Sequence, residues 1–189
     1  ELRYVNVKDI QSKRQRNTNN NTQEGCTLLD VDPGVSTNRT VFTFVGTPAA
    51  AVEGAINMAK VAKEKIDMRN HTGEHPRFGA MDVCPFVPIR DATMEDCVKC
   101  AHEFGKRAER ELDIPVYMYE HASKDADENS GRYFLPDIRQ GEYEGLATRD
   151  FNTDQWRPDY GPAKFVPTWG ATASGARKFL VAYVLSCLL

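Results

Sequence analysis

Two histidines, a glutamate and several arginines lie close together between Ile66 and Arg90, in a stretch interrupted by glycine and proline. Among them, His75 has the chemistry best suited to catalysis, because imidazole can take and return a proton near neutral pH. Glu74 or Asp82 is near enough in sequence to orient the ring, and Arg77 offers a guanidinium that matches a carboxylate. These residue types predict a proton-transfer site beside a binding position for an anionic group.

The same stretch allows two other interpretations. His71, Glu74 and His75 spell H-x-x-E-H, the order of a zinc-protease motif in which two histidines four apart on a helix share a metal. Gly73 and Pro76 are incompatible with a sustained helix, and no third ligand is evident, so we expect no metal. The other interpretation, in which His75 is an ordinary loop histidine, stays open.

Further candidate residues lie near the front of the chain, where an apolar strand meets a turn. Asp30 and Asp32 end this strand before a Pro-Gly turn signal, and they either cap the turn or take part in the site. Arg39 follows the turn. It is either a surface charge or a residue at the edge of the sheet where the site lies. Both alternatives remain open for each residue.

Cysteine spacing gives a weaker signal. Cys97 and Cys100 form a C-x-x-C pair inside an amphipathic pattern, with His102 close behind. A single pair is weak evidence for zinc, and cysteines at helical spacing are more often small core residues. The odd total of five cysteines, at dispersed spacings, indicates reduced thiols in an intracellular protein.

Composition narrows the classes of partner. The 189 residues have room for one domain, and 41% hydrophobic with 27% charged residues is ordinary for a globular protein. The formal net charge of -3, with both signs interspersed, gives no electrostatic footprint for nucleic acid or an anionic membrane. The longest apolar run, 179–189, is shorter than the ~20 residues of a membrane helix, and the first residues lack a secretory pattern. We therefore expect a cytoplasmic protein with small-molecule partners, no nucleic acid and no membrane.

Apolar periodicity and turn signals predict an alternation of strands and helices. Strands are expected at 26–34, 41–46, 81–89 and 113–122 and in the apolar residues that end the chain, and helices at 48–66, 94–112 and 135–146. The first two strands form a hairpin-like pair, and Pro85 and Pro88 make the third an edge or bulged strand. Residues 1–24 are polar and are expected to form a disordered arm, which leaves 25–189 as the domain. The order of elements predicts an α+β two-layer sandwich of the split βαβ type.

Several long motifs resemble one known family. The stretches LLDVDPG, STNRTV, TFVG, VEGA, HTGEHPRFGAMDVCPFVPIR and GPAKFVPTWGATASGARKFL resemble the N-terminal subdomain of glutamate formiminotransferase, over about residues 25–183. The resemblance implies a ferredoxin-like fold, with helices on one face of a mixed sheet. It also implies transfer of a formimino group from N-formimino-L-glutamate to tetrahydrofolate as co-substrate, without a metal. This reaction belongs to histidine breakdown and one-carbon metabolism.

The resemblance also implies roles for particular residues. His75 corresponds to the base that takes the proton from folate N5, and Asp32 and Arg77 occupy motif positions suited to orienting the base and holding an anionic group. Folate binding is implied for ten consecutive residues: Gly161, Pro162, Ala163, Lys164, Phe165, Val166, Pro167, Thr168, Trp169 and Gly170. Within this segment, the rings of Phe165 and Trp169 are expected to flank the pterin or the aminobenzoyl group.

Two departures from the family pattern leave an alternative function open. The P-N-F-S-E-G loop that opens the family is not found in residues 1–24, and the family's second subdomain, which forms the other wall of the folate groove, does not follow within the 189 residues. A homo-oligomer or a complementary subdomain is therefore an expected partner. The alternative to an active transferase is a non-catalytic subdomain that binds folate or a partner protein.

Overall fold

The computed structural model describes residues 25–124 and 131–179. In chain order, the strands and α-helices of these residues are β1 (Cys26–Gly34), β2 (Arg39–Gly46), α1 (Pro48–Lys65), β3 (Val83–Phe86), α2 (Met94–Leu112), β4 (Val116–Glu120), α3 (Leu135–Ile138), α4 (Glu142–Leu146) and β5 (Thr172–Ala176). The predicted arm at 1–24 and the strand predicted at the end of the chain lie outside the described residues. No helix among the described residues has both the length and the apolar character needed to cross a membrane.

The first two strands form the predicted antiparallel hairpin. Their register runs from Cys26 opposite Gly46 to Gly34 opposite Arg39, with one irregularity in β1 between Leu28 and Asp30. The hairpin turn therefore delivers Arg39 at the first position of β2.

Each of the two long helices begins at a side-chain cap. The side chain of Thr47 accepts a hydrogen bond from a backbone N–H in the first turn of α1. Pro48 also lies in this turn, where a backbone N–H would have no helical partner, so its lack of an N–H costs nothing. Thr93 and Asp96 form a reciprocal capping box at the start of α2, with both side chains accepting backbone N–H groups. The helices pack against each other, and α2 also packs on the parallel strands.

A three-stranded parallel sheet, in the order β3-β5-β4, forms the centre of the molecule. β3 lies at the edge, as its prolines predict, but it spans only Val83–Phe86. Side chains of β4 alternate between two apolar clusters. Val116 and Met118 pack with α1 and α2, whereas Tyr117 and Tyr119 pack with the short helices on the opposite face.

The α+β two-layer class is confirmed, with three differences in detail, one of which is that short helices pack on the face of the parallel sheet where no helix was expected. Parallel and antiparallel strands, expected in one mixed sheet, form two separate sheets in the described part of the chain. The helix expected at 135–146 is divided into α3 and α4, because Gly141 and Glu142 have positive φ angles of 77° and 52°. The long helices cover one face of the parallel sheet, and these two short helices cover the other.

Candidate functional site

The loop that carries His75 is bound to the turn of the β1–β2 hairpin. The backbone N–H of Glu74 donates to the carbonyl of Ser36 at 3.0 Å, and the Asn38 side-chain amide donates to the carbonyl of Thr72 at 2.6 Å. His71 donates through Nε2 to the carbonyl of Asn38 at 2.8 Å. These hydrogen bonds join the histidine loop to the hairpin turn, although neither the loop nor the turn has regular secondary structure.

His75 is exposed to solvent, and its ring has a defined orientation. Its Nδ1 atom lies 2.7 Å from the carbonyl oxygen of Pro76. A carbonyl oxygen can only accept, so Nδ1 carries the proton and Nε2 carries the lone pair. Arg39 Nη1 lies 3.2 Å from both ring nitrogens and donates to Nε2 in this tautomer. Arg39, for which a surface position and a site position both remained open, lies at the site.

An ion-pair cluster holds Arg39 in place. Its guanidinium pairs with Asp82, whose carboxylate also lies 3.3 Å from Arg139. Arg139 in turn pairs with Glu142 at 2.9 Å. Burial lowers the pKa of Arg39, and the nearby charge of Arg139 lowers it further. The two guanidiniums are held together by the carboxylates between them.

Arg77 lines a groove of about 280 Å³ together with His75 and Glu144. Its guanidinium donates to the carbonyl of Met68 at 3.1 Å and lies 4.5 Å from the centre of the Tyr143 ring. It also donates twice to one oxygen of Glu144, at 2.7 and 3.0 Å. The predicted base and the predicted anion-binding residue therefore share one groove.

The segment predicted to bind folate runs beside this loop. The N–H of Ala80 donates to the carbonyl of Trp169 at 2.8 Å, and the N–H of Ala171 donates to the carbonyl of Phe78 at 3.0 Å. The N–H of Met68 also donates to a carbonyl of the segment, at 3.0 Å. The structure therefore brings the end of the 161–170 segment next to the loop that bears the histidine.

Tyr143 joins the segment to the groove. Its hydroxyl donates to the carbonyl of Pro167 at 2.6 Å, and its ring lies 5.5 Å from the ring of Phe165 in an edge-to-face arrangement. The guanidinium of Arg77 also lies over the Tyr143 ring. A continuous row of a guanidinium and two aromatic rings thus connects the groove to the segment.

The indole of Trp169 is not open to a ligand in this structure. Its side chain is 1% exposed, packs in the core cluster of the long helices, and donates from Nε1 to Thr172 at 3.1 Å. Phe165 is only partly buried. In this structure Phe165 is therefore the more accessible of the two rings that were expected to flank a ligand.

Asp32 is not joined to the base by a direct contact. It is exposed on β1 opposite Val41, and no hydrogen bond or ion pair links it to His75 among the described residues. Arg90, which ends the stretch that contains the two histidines, is exposed and is not among the residues that line the groove.

Three residues of the site were not predicted from the sequence: Arg139, Tyr143 and Glu144. They come from α4 and the turn before it, far along the chain from the histidine motif, and no motif marked them. The only available signal was the density of charged and aromatic residues in the stretch RQGEYEG.

The other candidate metal ligands lie apart. No cluster of three or more histidine, cysteine or acidic side chains with metal-binding geometry occurs in residues 25–124 and 131–179. The rings of His71 and His75 bind different partners. Cys97 and Cys100 are buried in the core, as expected, and burial raises the pKa of Cys100 to about 11.

The fold and the site together define an α+β domain with a surface groove, in which the imidazole of His75 and the guanidinium of Arg77 lie together. The chain belongs to the family described as formiminotransferase domain, N-terminal subdomain, whose model matches residues 6–177. This match begins within the stretch that the sequence assigned to an arm.

The names of similar proteins agree with this family. The chain is 55% identical over 188 residues to a formimidoyltransferase-cyclodeaminase of Dictyostelium discoideum, covering 100% of this chain and 33% of that protein. It is 57% identical over 164 residues to the formimidoyltransferase-cyclodeaminase of Gallus gallus, covering 87% of this chain and 29% of the relative. It is 46% identical over 159 residues to a glutamate formimidoyltransferase of Streptococcus pyogenes serotype M1, covering 84% of this chain and 52% of the relative. The chain thus spans from under a third to about half the length of these relatives.

Proposed function

We propose that the chain provides the catalytic histidine of a glutamate formiminotransferase, which moves a formimino group from N-formimino-L-glutamate to N5 of tetrahydrofolate. The observation that carries this proposal is the shared groove, in which His75 and Arg77 lie side by side. The names of the relatives supply the reaction class, and the family match agrees with the resemblance of the motifs.

In the proposed reaction, N5 of the folate attacks the formimino carbon while His75 takes the N5 proton at Nε2. The N5–carbon bond forms, and the bond between that carbon and the glutamate nitrogen breaks. His75 then returns the proton to the departing amine, which leaves as glutamate. Donation from Nδ1 to Pro76 supports this role, because it leaves the Nε2 lone pair facing a donor. The N5–H group would take the place of Arg39 as that donor.

The two substrates divide the groove between them in this proposal. A carboxylate of formiminoglutamate binds Arg77, whose guanidinium is already oriented by Met68 and Tyr143. Folate lies along residues 161–170, with Phe165 as the ring it contacts. Asp32 keeps its proposed role near the base, but its influence passes through the hairpin rather than through a direct bond.

Turnover by the purified chain tests the base. We expect His75→Ala to lower kcat by about 10²- to 10⁴-fold, which is the usual contribution of a positioned general base. His121→Ala is the matched control, because His121 is also an exposed loop histidine but does not line the groove. Equal activity of the two variants, both folded by circular dichroism, would remove His75 from the mechanism.

A binding function without turnover is the second candidate, because the groove and the partly buried Phe165 can hold folate whether or not a reaction follows. In this case the groove binds folate, and a complementary subdomain or a second copy supplies the rest of the active site. Calorimetry with a polyglutamated folate distinguishes the two. Heat of binding without turnover supports the second candidate, and no heat at high concentration excludes both.

A further inference from the structure

The geometry points to Asp82 as the positioning residue for His75. We propose that its carboxylate orients the imidazole through two arginines at once, by two separate chains of contacts. This inference rests on the proposed role of His75 as the base.

The first chain of contacts runs through Arg39. The guanidinium pairs with Asp82 through Nη2 and approaches both nitrogens of His75 through Nη1. Because a guanidinium is planar and rigid, fixing one of its nitrogens fixes the direction of the other. Asp82 therefore determines where the donor to the ring lies.

The second chain runs through Arg139. Its Nη2 lies 3.3 Å from the Asp82 carboxylate and donates to the carbonyl of Pro76 at 3.0 Å. This is the same carbonyl that accepts from His75 Nδ1. Asp82 thus also holds the acceptor that selects the Nδ1–H tautomer.

Asp82 itself is anchored by two hydrogen bonds from the backbone. Its Oδ1 accepts from the N–H of Phe78 at 3.1 Å, and its backbone carbonyl accepts from Ala173 of β5 at 3.0 Å. Its side chain is 14% exposed. The charge balance depends on it, because without Asp82 the guanidiniums of Arg39 and Arg139 would repel each other, with Glu142 left to offset their charge.

The substitution that tests this role is Asp82→Asn, which keeps the side chain's shape and an acceptor for Phe78 but removes the charge. We expect kcat to fall by about ten- to a hundred-fold, because misplacing a catalytic group lowers the rate of the chemical step. We expect KM to change by less than about two-fold. A ¹⁵N spectrum of the His75 imidazole, recorded on the chain without substrates, should change from mainly Nδ1–H to a mixture of tautomers. Asp67→Asn is the control, because it removes another carboxylate–arginine pair of the same loop, with Arg69, that does not reach His75.

A second variant keeps the test decisive if Asp82→Asn does not fold. Arg39→Gln removes only the first chain of contacts, at a side chain that is 28% exposed, and should give a smaller change in the same direction. An unchanged His75 spectrum in whichever of the two variants folds would overturn the proposal. A changed spectrum, together with full activity of His75→Ala, would support the positioning role while refuting the proposed function.

Discussion

At the scale of single residues, Glu144 lines the groove with a mostly exposed side chain. It is 65% exposed, whereas the Arg77 side chain that it pairs with is 19% exposed and has two other contacts. Both donors of Arg77 bind the same oxygen of Glu144, so the pair lacks the two-point geometry of the strongest arginine–carboxylate contacts. A ligand carboxylate and Glu144 should therefore compete for one guanidinium.

We expect Glu144→Gln to bind glutamate about two- to five-fold more tightly than the unchanged chain. An exposed ion pair contributes about 0.2–1 kcal/mol, and the ligand no longer has to displace it. Titration calorimetry with glutamate measures the difference. Glu64→Gln on α1, which also removes an exposed glutamate from an ion pair, should leave the affinity unchanged. Weaker binding by Glu144→Gln would mean that Glu144 contacts the ligand favourably.

Residue types in the sequence predict the base and its anion-binding neighbour, but not the contacts that orient them. His75 and Arg77 were identified because imidazole and guanidinium have recognisable chemistry in a loop bounded by glycine and proline. The contact between Arg139 and the Pro76 carbonyl joins residues 63 positions apart in the chain. Sequence spacing carries no information about such a contact until the fold is known.

At the scale of elements, two glycines set the distance between the histidine loop and the 161–170 segment. Gly79 and Gly170 lie opposite each other in an isolated antiparallel bridge. Gly170 has a φ angle of 81°, and a Cβ atom there would lie 2.2 Å from the carbonyl oxygen of Phe78. Neither conformation nor space allows a side chain at this position.

We expect Gly170→Ala to lower the free energy of unfolding by more than about 1 kcal/mol and to weaken folate binding, because the two segments must move apart. Gly131→Ala is the matched control. Its φ angle of 70° is also positive, but a Cβ atom there meets nothing within 4 Å. Urea unfolding of both variants separates steric contact from backbone strain. Equal losses of stability would show that the close approach contributes nothing.

The elements found from the sequence are those with a strong pattern. α2 was placed correctly because capping residues and apolar spacing agree over the whole helix. β5 was missed because its residues, TASGA, are small and carry no strand pattern. They are small because the strand is central: a Cβ atom at Gly175 would lie 2.6 Å from the carbonyl oxygen of Tyr119.

At the scale of the whole molecule, α1 and α2 link the hairpin to the parallel sheet, and an ion-pair network joins the two helices. Glu111 of α2 binds Arg107 and, across the helix interface, Lys60 of α1, each at 2.7 Å. Hydrogen bonds from Arg107 and then from Lys60 lower the pKa of Glu111 from 4.5 to about 2. The ionised carboxylate therefore stabilises the folded chain.

This pKa shift gives the stability a defined dependence on pH. For a carboxylate with a lowered pKa in the folded state, the contribution is complete above about pH 4.5 and is lost as the pH falls towards about 2. We expect Glu111→Gln to lower the free energy of unfolding by about 1 kcal/mol at pH 7, after allowance for solvent screening, and by much less near pH 2. Urea unfolding at the two pH values measures both. Glu95→Gln, in an exposed pair within α2, should show a smaller dependence, and an equal dependence would contradict this account.

The turn of the β1–β2 hairpin has a practical consequence for following the site in solution. Gly73 lies against it so closely that a Cβ atom would be 2.4 Å from the carbonyl oxygen of Thr37, while Val35 at the tip is 80% exposed. A fluorophore attached at position 35 would lie on the hairpin turn that contacts the histidine loop, and it would stay outside the loop. Its anisotropy would report, in real time, whether substrate entry detaches the two segments.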